Sequence, residues 1–164
     1  MPAHSDFFFY ISAVLLGGVA GMRSMMPLAA LAITMSRRPE LVPALDPIRW
    51  FAMRAVAIVF GLAAIGEIIV DKLPRTPNRT ALGPFLGRVA SGGIAGAAVV
   101  QLGHMNSWIG AALGVIGAIL GTFGAFHARR RLGKTTGIQD SYVGALEDVI
   151  AIAVAAAVLA NLVA

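Results

Sequence analysis

The sequence predicts an all-α protein, a polytopic membrane helix bundle of about five transmembrane segments in one domain spanning residues 1–164. Composition is the first reason. The chain is 58% hydrophobic and 13% charged, with a mean hydropathy of +0.81, whereas soluble domains carry about 25% charged residues. Segment length is the second: apolar runs fall at about 7–35, 50–70, 85–104, 107–127 and 144–163. Four of them match the ~20 residues that cross ~30 Å of hydrocarbon. Glycine is the third, with 19 residues and pairs four apart at Gly17 and Gly21, Gly92 and Gly96, Gly110 and Gly114, and Gly117 and Gly121. Small residues at that spacing let membrane helices approach closely.

The first run is too long for one straight crossing and contains Arg23, Ser24 and Pro27. Pro27 cannot donate to the carbonyl of Arg23, so a kinked or broken helix is expected near Arg23–Pro27. Ser24 is suited to cap a new helix start, and proline is tolerated in a first turn. The start, MPAHSD, has no positive n-region, so this run reads as retained rather than as a cleaved signal. Residues 36–49 and 71–84 read as proline-rich polar loops, 104–107 as a tight hairpin, and 128–143 as a basic loop carrying Arg129, Arg130, Arg131 and Lys134. Trp50 and Trp108 stand at segment ends, where interfacial aromatics belong.

With five crossings, the N-terminus and the 71–84 and 128–143 loops share a side bearing seven lysines and arginines, against three on the other. Such an excess faces the cytoplasm. The expectation is a cytoplasmic N-terminus and an external C-terminus. The net charge of +5 sets topology and meets anionic lipid rather than nucleic acid, because the basic residues form no stripe interleaved with aromatics. Without cysteine there is no disulfide, thiolate metal site or cysteine nucleophile.

Ionisable residues inside the apolar runs mark the candidate site. A charge in hydrocarbon costs roughly 2.5–3.5 kcal/mol on insertion scales, so such residues pair, line a cavity or carry function. Arg23, Ser24, Glu67, Asp71, Lys72, Arg88, Glu147 and Asp148 make up this set. At ~1.5 Å per residue, Glu67 lies roughly 25 Å from Trp50 and Arg23 roughly 20 Å from Ser36. Arg88, Glu147 and Asp148 each lie about one turn inside their segments, so four segments converge on one slab in the cytoplasmic half of the bilayer. Glu67 and Asp71 share a helix face, whereas adjacent Glu147 and Asp148 point apart, so one of the two is expected in a given cavity. An arginine beside a helix start favours an anion; the carboxylates favour a cation or a proton.

Other patterns carry less. His4, His104 and His127 lack ligand spacing, no metal or cofactor is expected, and the methionines around the first run read as adaptable packing. The arginine triplet 129–131 reads as a topology anchor at phospholipid headgroups. No phosphate loop, serine elbow or HExxH motif occurs.

The strings GMRSMMPLA (21–29), GEIIVDKLPRTPNRT (66–80), GRVASGGIAGA (87–97) and ALEDVIAI (145–152) resemble the domain-of-unknown-function family numbered 4126. The resemblance covers nearly the whole chain. It implies a small multi-pass protein of the bacterial inner membrane, with Arg23, Glu67, Asp71, Lys72, Pro74, Arg79, Arg88, Glu147 and Asp148 at the motif positions. It implies no activity.

Three functions fit these residues. A transporter or channel-like protein would use Glu67, Asp71 and Glu147 as cation or proton ligands and Arg23 and Arg88 as counter-ions for a small ionic solute or lipid headgroup. A non-catalytic scaffold or accessory subunit would use the charges as a salt-bridge network fixing helix registry. A lipid-modifying enzyme would need a polar groove open sideways beside Glu67 and Asp71; an enzyme is the less favoured class. The expected partners are membrane lipids and, from the chain's small size and glycine faces, a second copy in a dimer.

Overall fold

The computed structural model describes residues 5–42, 46–71, 82–136 and 140–163, with side chains described throughout except at 133–136, 140 and 141. Among them are six α-helices and two short 3₁₀ helices, Pro39–Leu41 and Pro47–Ala52. The α-helices are α1 Asp6–Met22, α2 Met26–Arg37, α3 Arg54–Val70, α4 Leu82–Leu102, α5 Ser107–Thr136 and α6 Asp140–Val163. Three contain stretches long and apolar enough to cross a membrane: Leu82–Leu102, Ser107–Leu132 and Tyr142–Val163. Large apolar side chains lie exposed along α3, α5 and α6, including Ile58, Leu62, Ile65, Leu120 and Ile152. In water such faces would be an association hazard; against hydrocarbon they are the expected outer surface. The chain is a helical membrane protein.

The break expected in the first run is present, but it reverses the chain rather than bending it. Phe9, near the start of α1, packs on Gly103 in the α4–α5 turn, and Gly21, near its end, packs on α5 at Ala118 and Gly121. α1 therefore runs away from that turn. Past α2, Asp46 accepts a hydrogen bond from Gln101 at the end of α4 (3.2 Å), so α2 has brought the chain back. Residues 7–35 thus form a helical hairpin with Arg23–Met25 at its tip. Its limbs of 17 and 12 residues rise about 25 and 18 Å, short of ~30 Å of hydrocarbon.

The run 7–35 is thus two helices where one segment was expected, and Asp6, at the Phe9–Gly103 end, lies at the same end of the bundle as Val163, which lines one groove with Arg37 and Arg38. Trp50 and Trp108 mark that end, 40% and 82% exposed as interfacial anchors should be. The 128–143 loop is also corrected: α5 continues to Thr136 and α6 begins at Asp140. Arginine and leucine are good helix formers, so charge alone does not end a helix that has left the hydrocarbon. Conversely, residues 50–52 of the second run belong to a 3₁₀ turn, with Trp50 stacked on Phe51 at 4.0 Å, and α3 starts only at Arg54.

Glycines join α1, α4 and α5 into one slab. A Cβ on Gly114 would collide with the carbonyl of Gly92, one on Gly96 with that of Gly110, and one on Gly117 with that of Val14. Backbones at such separation exclude any side chain. These faces are consumed within the chain and lend no support to the expected dimer. The turn from α4 to α5 is tight, with His104 in the left-handed region (φ 56°). The Asn106 side chain then accepts from the Trp108 amide at 3.0 Å to open α5.

Substitution separates close-packing glycines from idle ones. Gly114→Ala should destabilise the protein in detergent by at least the roughly 1–3 kcal/mol of ordinary overpacking. Gly61→Ala, whose Cβ would meet nothing within 4 Å, should be neutral or stabilising by up to about 1 kcal/mol. Thermal unfolding of the two variants checks the contrast.

Candidate functional site

At the hairpin tip the backbone groups freed by the break need partners inside the bundle, because an unpaired buried peptide group is costly. α1 ends when Arg23 turns extended (φ −141°, ψ 106°), and its amide still bonds the Val19 carbonyl at 2.7 Å. Thr122 of α5 donates to the Gly21 carbonyl at 3.2 Å. Ser91 of α4 donates to the Ser24 carbonyl. The Arg23 carbonyl, deprived of a donor at Pro27, instead accepts from Met26 N at 3.4 Å. Pro27 stands in the first turn of α2, as the sequence suggested.

The amides ahead of α2 go to Glu67. Its Oε1 accepts from the Ser24 amide and hydroxyl, both at 2.8 Å, and its Oε2 from the Met25 amide at 2.9 Å. Ser24 therefore does not cap α2 with its own side chain. It hands the carboxylate one further donor, and a residue 42 positions away from Met25 does the capping. The positive end of the helix dipole gives that carboxylate its electrostatic partner.

Arg23 is 1% exposed and reaches two other helices. Its Nη2 lies 2.9 Å from Asp71 Oδ2 at the end of α3, and its Nε donates to Asp148 Oδ1 on α6 at 2.5 Å. Arg129 extends the cluster, with Nη2 4.0 Å from Asp71 Oδ2 and 3.9 Å from Glu147 Oε2. Gly144 makes room for it, since a Cβ there would overlap the Arg129 guanidinium. Arg88 is buried, 6% exposed, one helical turn before Ser91. Lys72 lies outside the described residues.

The structure thus draws Arg23, Ser24, Glu67, Asp71, Glu147 and Asp148 to the hairpin tip and buries Arg88 on the adjoining stretch of α4. Glu147 and Asp148 are both buried and both engaged, against the expectation of one. Adjacent helical residues diverge by about 100°, and here each direction meets a different arginine. Arg129 is corrected from a lipid anchor to a member of the cluster, while Arg130 and Arg131 are exposed. Ser91 and Thr122 were not singled out in the sequence. Their signal is faint, each a lone hydroxyl inside a glycine-rich apolar helix. Among the described residues no three His, Asp or Glu side chains group as metal ligands.

The cluster sets Arg23 and Arg129 against Asp71, Glu147 and Asp148, with Glu67 left for the helix terminus. Removing one buried partner strands the other, at about 3–5 kcal/mol. Arg23→Met should lose stability on that scale, and adding Asp71→Asn and Asp148→Asn should restore at least half of it. Melting temperatures of the single and triple variants in detergent test the coupling.

The chain matches no protein of curated function and no solved structure. Residues 11–163 match the family model described as Domain of unknown function (DUF4126). With that match running from α1 through the end of α6 and taking in the whole charged cluster, the chain belongs to this family.

Proposed function

We propose that the protein is a small transporter or channel-like membrane protein whose charged cluster handles a small ionic solute or the charged headgroup of a lipid. The observation that carries this reading is the seat of Glu67: its carboxylate fills the start of a helix that begins beside a buried arginine inside the bundle. Helix starts bind anions through free amides and the dipole, and transporters place such starts at their substrate sites. Glu67 is then an anion supplied by the chain itself. A proton on Glu67 removes the charge those amides hold, so the start of α2, beside the paired Arg23, becomes available to an incoming anion. When the anion leaves, Glu67 ionises and reseats. Proton and anion are thereby coupled.

A second reading, a scaffold or accessory subunit, draws on the pairing at the tip. Among the described residues Arg23 and Arg129 pair with Asp71, Glu147 and Asp148, and Glu67 meets a helix terminus, so each of these carboxylates has a partner within the chain. Glu67→Gln separates the two. In vesicles loaded with a pH-sensitive dye and given an inward gradient of chloride, inorganic phosphate or acetate, the wild type should move protons with one of the anions. The variant should lose that flux with its melting temperature nearly unchanged. Absence of anion-driven proton movement in the wild type, with a large loss of stability in the variant, would instead establish the scaffold.

We infer the orientation from the charges in the sequence. The stretches between α3 and α4 and from the end of α5 to α6 carry Lys72, Arg75, Arg79, Arg129, Arg130, Arg131 and Lys134, against Arg37, Arg38, Arg49 and Arg54 from the end of α2 to the start of α3. The more basic stretches are then cytoplasmic, and Asp6 and Val163 both face outside. Reporters fused at the two termini should give the same, external signal; opposite signals would overturn the hairpin topology.

A further inference from the structure

We propose that a groove between α2 and α6 binds a phospholipid with an anionic headgroup, one acyl chain lying in the groove and the phosphate meeting Arg37 and Arg38. The groove encloses about 470 Å³, within the roughly 300–1,000 Å³ of ligand pockets. Its floor is apolar and buried, with Ala29 of α2 and Ala155 and Leu159 of α6, and Arg37 and Arg38 close one end. Ile33, Ile152, Ala156 and Ala160 on its rim are exposed, so it opens sideways between the helices.

Length and charge identify the occupant. From Met26 to Arg37 the groove follows α2 for about 16 Å at ~1.5 Å per residue. That is the depth of one leaflet, half of ~30 Å of hydrocarbon. The arginines lie level with Val163, the last residue of the span Tyr142–Val163, and so at headgroup height. Among the described residues the Arg38 guanidinium has one ion pair, with exposed Glu40 at 3.7 Å, worth little in water. An acyl chain with a phosphate above it matches an apolar trough one leaflet deep with two cations at its mouth. A helix from a second copy would need to cross both leaflets and would find a trough that ends halfway. The groove shares only Met26 with the surroundings of the hairpin tip, so it stands or falls apart from the transport reading.

The test uses the whole protein in nanodiscs of phosphatidylglycerol and phosphatidylcholine in equal parts, released for native mass spectrometry. The wild type should retain one phosphatidylglycerol per chain in preference to phosphatidylcholine. R37Q and R38Q should each lower that preference roughly fivefold, while R130Q and R131Q at the opposite end should leave it unchanged. A156F should abolish retention by filling the groove from an exposed position; A160L serves the same purpose should A156F not fold. Retention in proportion to the lipid supplied, or a preference that survives R37Q with R38Q, would overturn the proposal. A lipid-free dimer that A156F converts to monomer would overturn it too, by making the groove an interface between copies.

Discussion

Arg23 is the constraint on which the rest of the structure depends. It stands where α1 ends, and its guanidinium, 1% exposed, donates to Asp148 of α6 and is ion-paired with Asp71 of α3. A guanidinium presents donors in a fixed fork, so two carboxylates from different helices fix its direction and theirs. Three chain segments far apart in sequence are thereby held at one depth. An unpaired charge there would be prohibitive, which makes the assembly of α3 and α6 around the tip a condition of burying Arg23 at all.

The reversal at Arg23–Met25 is the second element of the same arrangement. A chain that turns back inside a helix bundle frees peptide groups that the helix no longer satisfies. Neighbouring helices meet several of them with side chains: Thr122 and Ser91 for carbonyls, Glu67 for amides. These partners must approach the backbone closely, and the glycine contacts among α1, α4 and α5 allow it. Packing and polar satisfaction are here one problem. The glycines bring α4 and α5 near enough for a serine and a threonine hydroxyl, both short, to reach the tip.

The cluster has a chemistry that a plain salt-bridge lattice lacks. Glu67 is bound by a helix terminus, and its hold depends on its charge, whereas the arginine pairs are mutual. The two sets of contacts meet at adjacent residues, Arg23 and Ser24, so a change at Glu67 is felt beside the guanidinium. At the other end of α2 stands the arginine pair above the α2–α6 groove. One short helix thus connects the buried charged cluster with that arginine pair.

Much of this is legible in the amino-acid order. Hydropathy and glycine spacing determine a membrane helix bundle, since burial of backbone polar groups leaves few alternatives. Arg23, Glu67, Asp71, Arg88, Glu147 and Asp148 declare themselves because a charge in an apolar run demands compensation, and depth arithmetic sets them at one level. Direction and partnership are tertiary decisions. Nothing local distinguishes a kinked helix from a hairpin at Arg23–Pro27, because both satisfy proline equally; the contacts of Phe9 with Gly103 and Asp46 with Gln101 choose the hairpin. Arg129 looks like Arg130 and Arg131 in sequence and differs only in facing Gly144, Asp71 and Glu147. Which carboxylate caps a helix and which pairs an arginine depends on the angular position of α3 around the tip, a property no single segment contains.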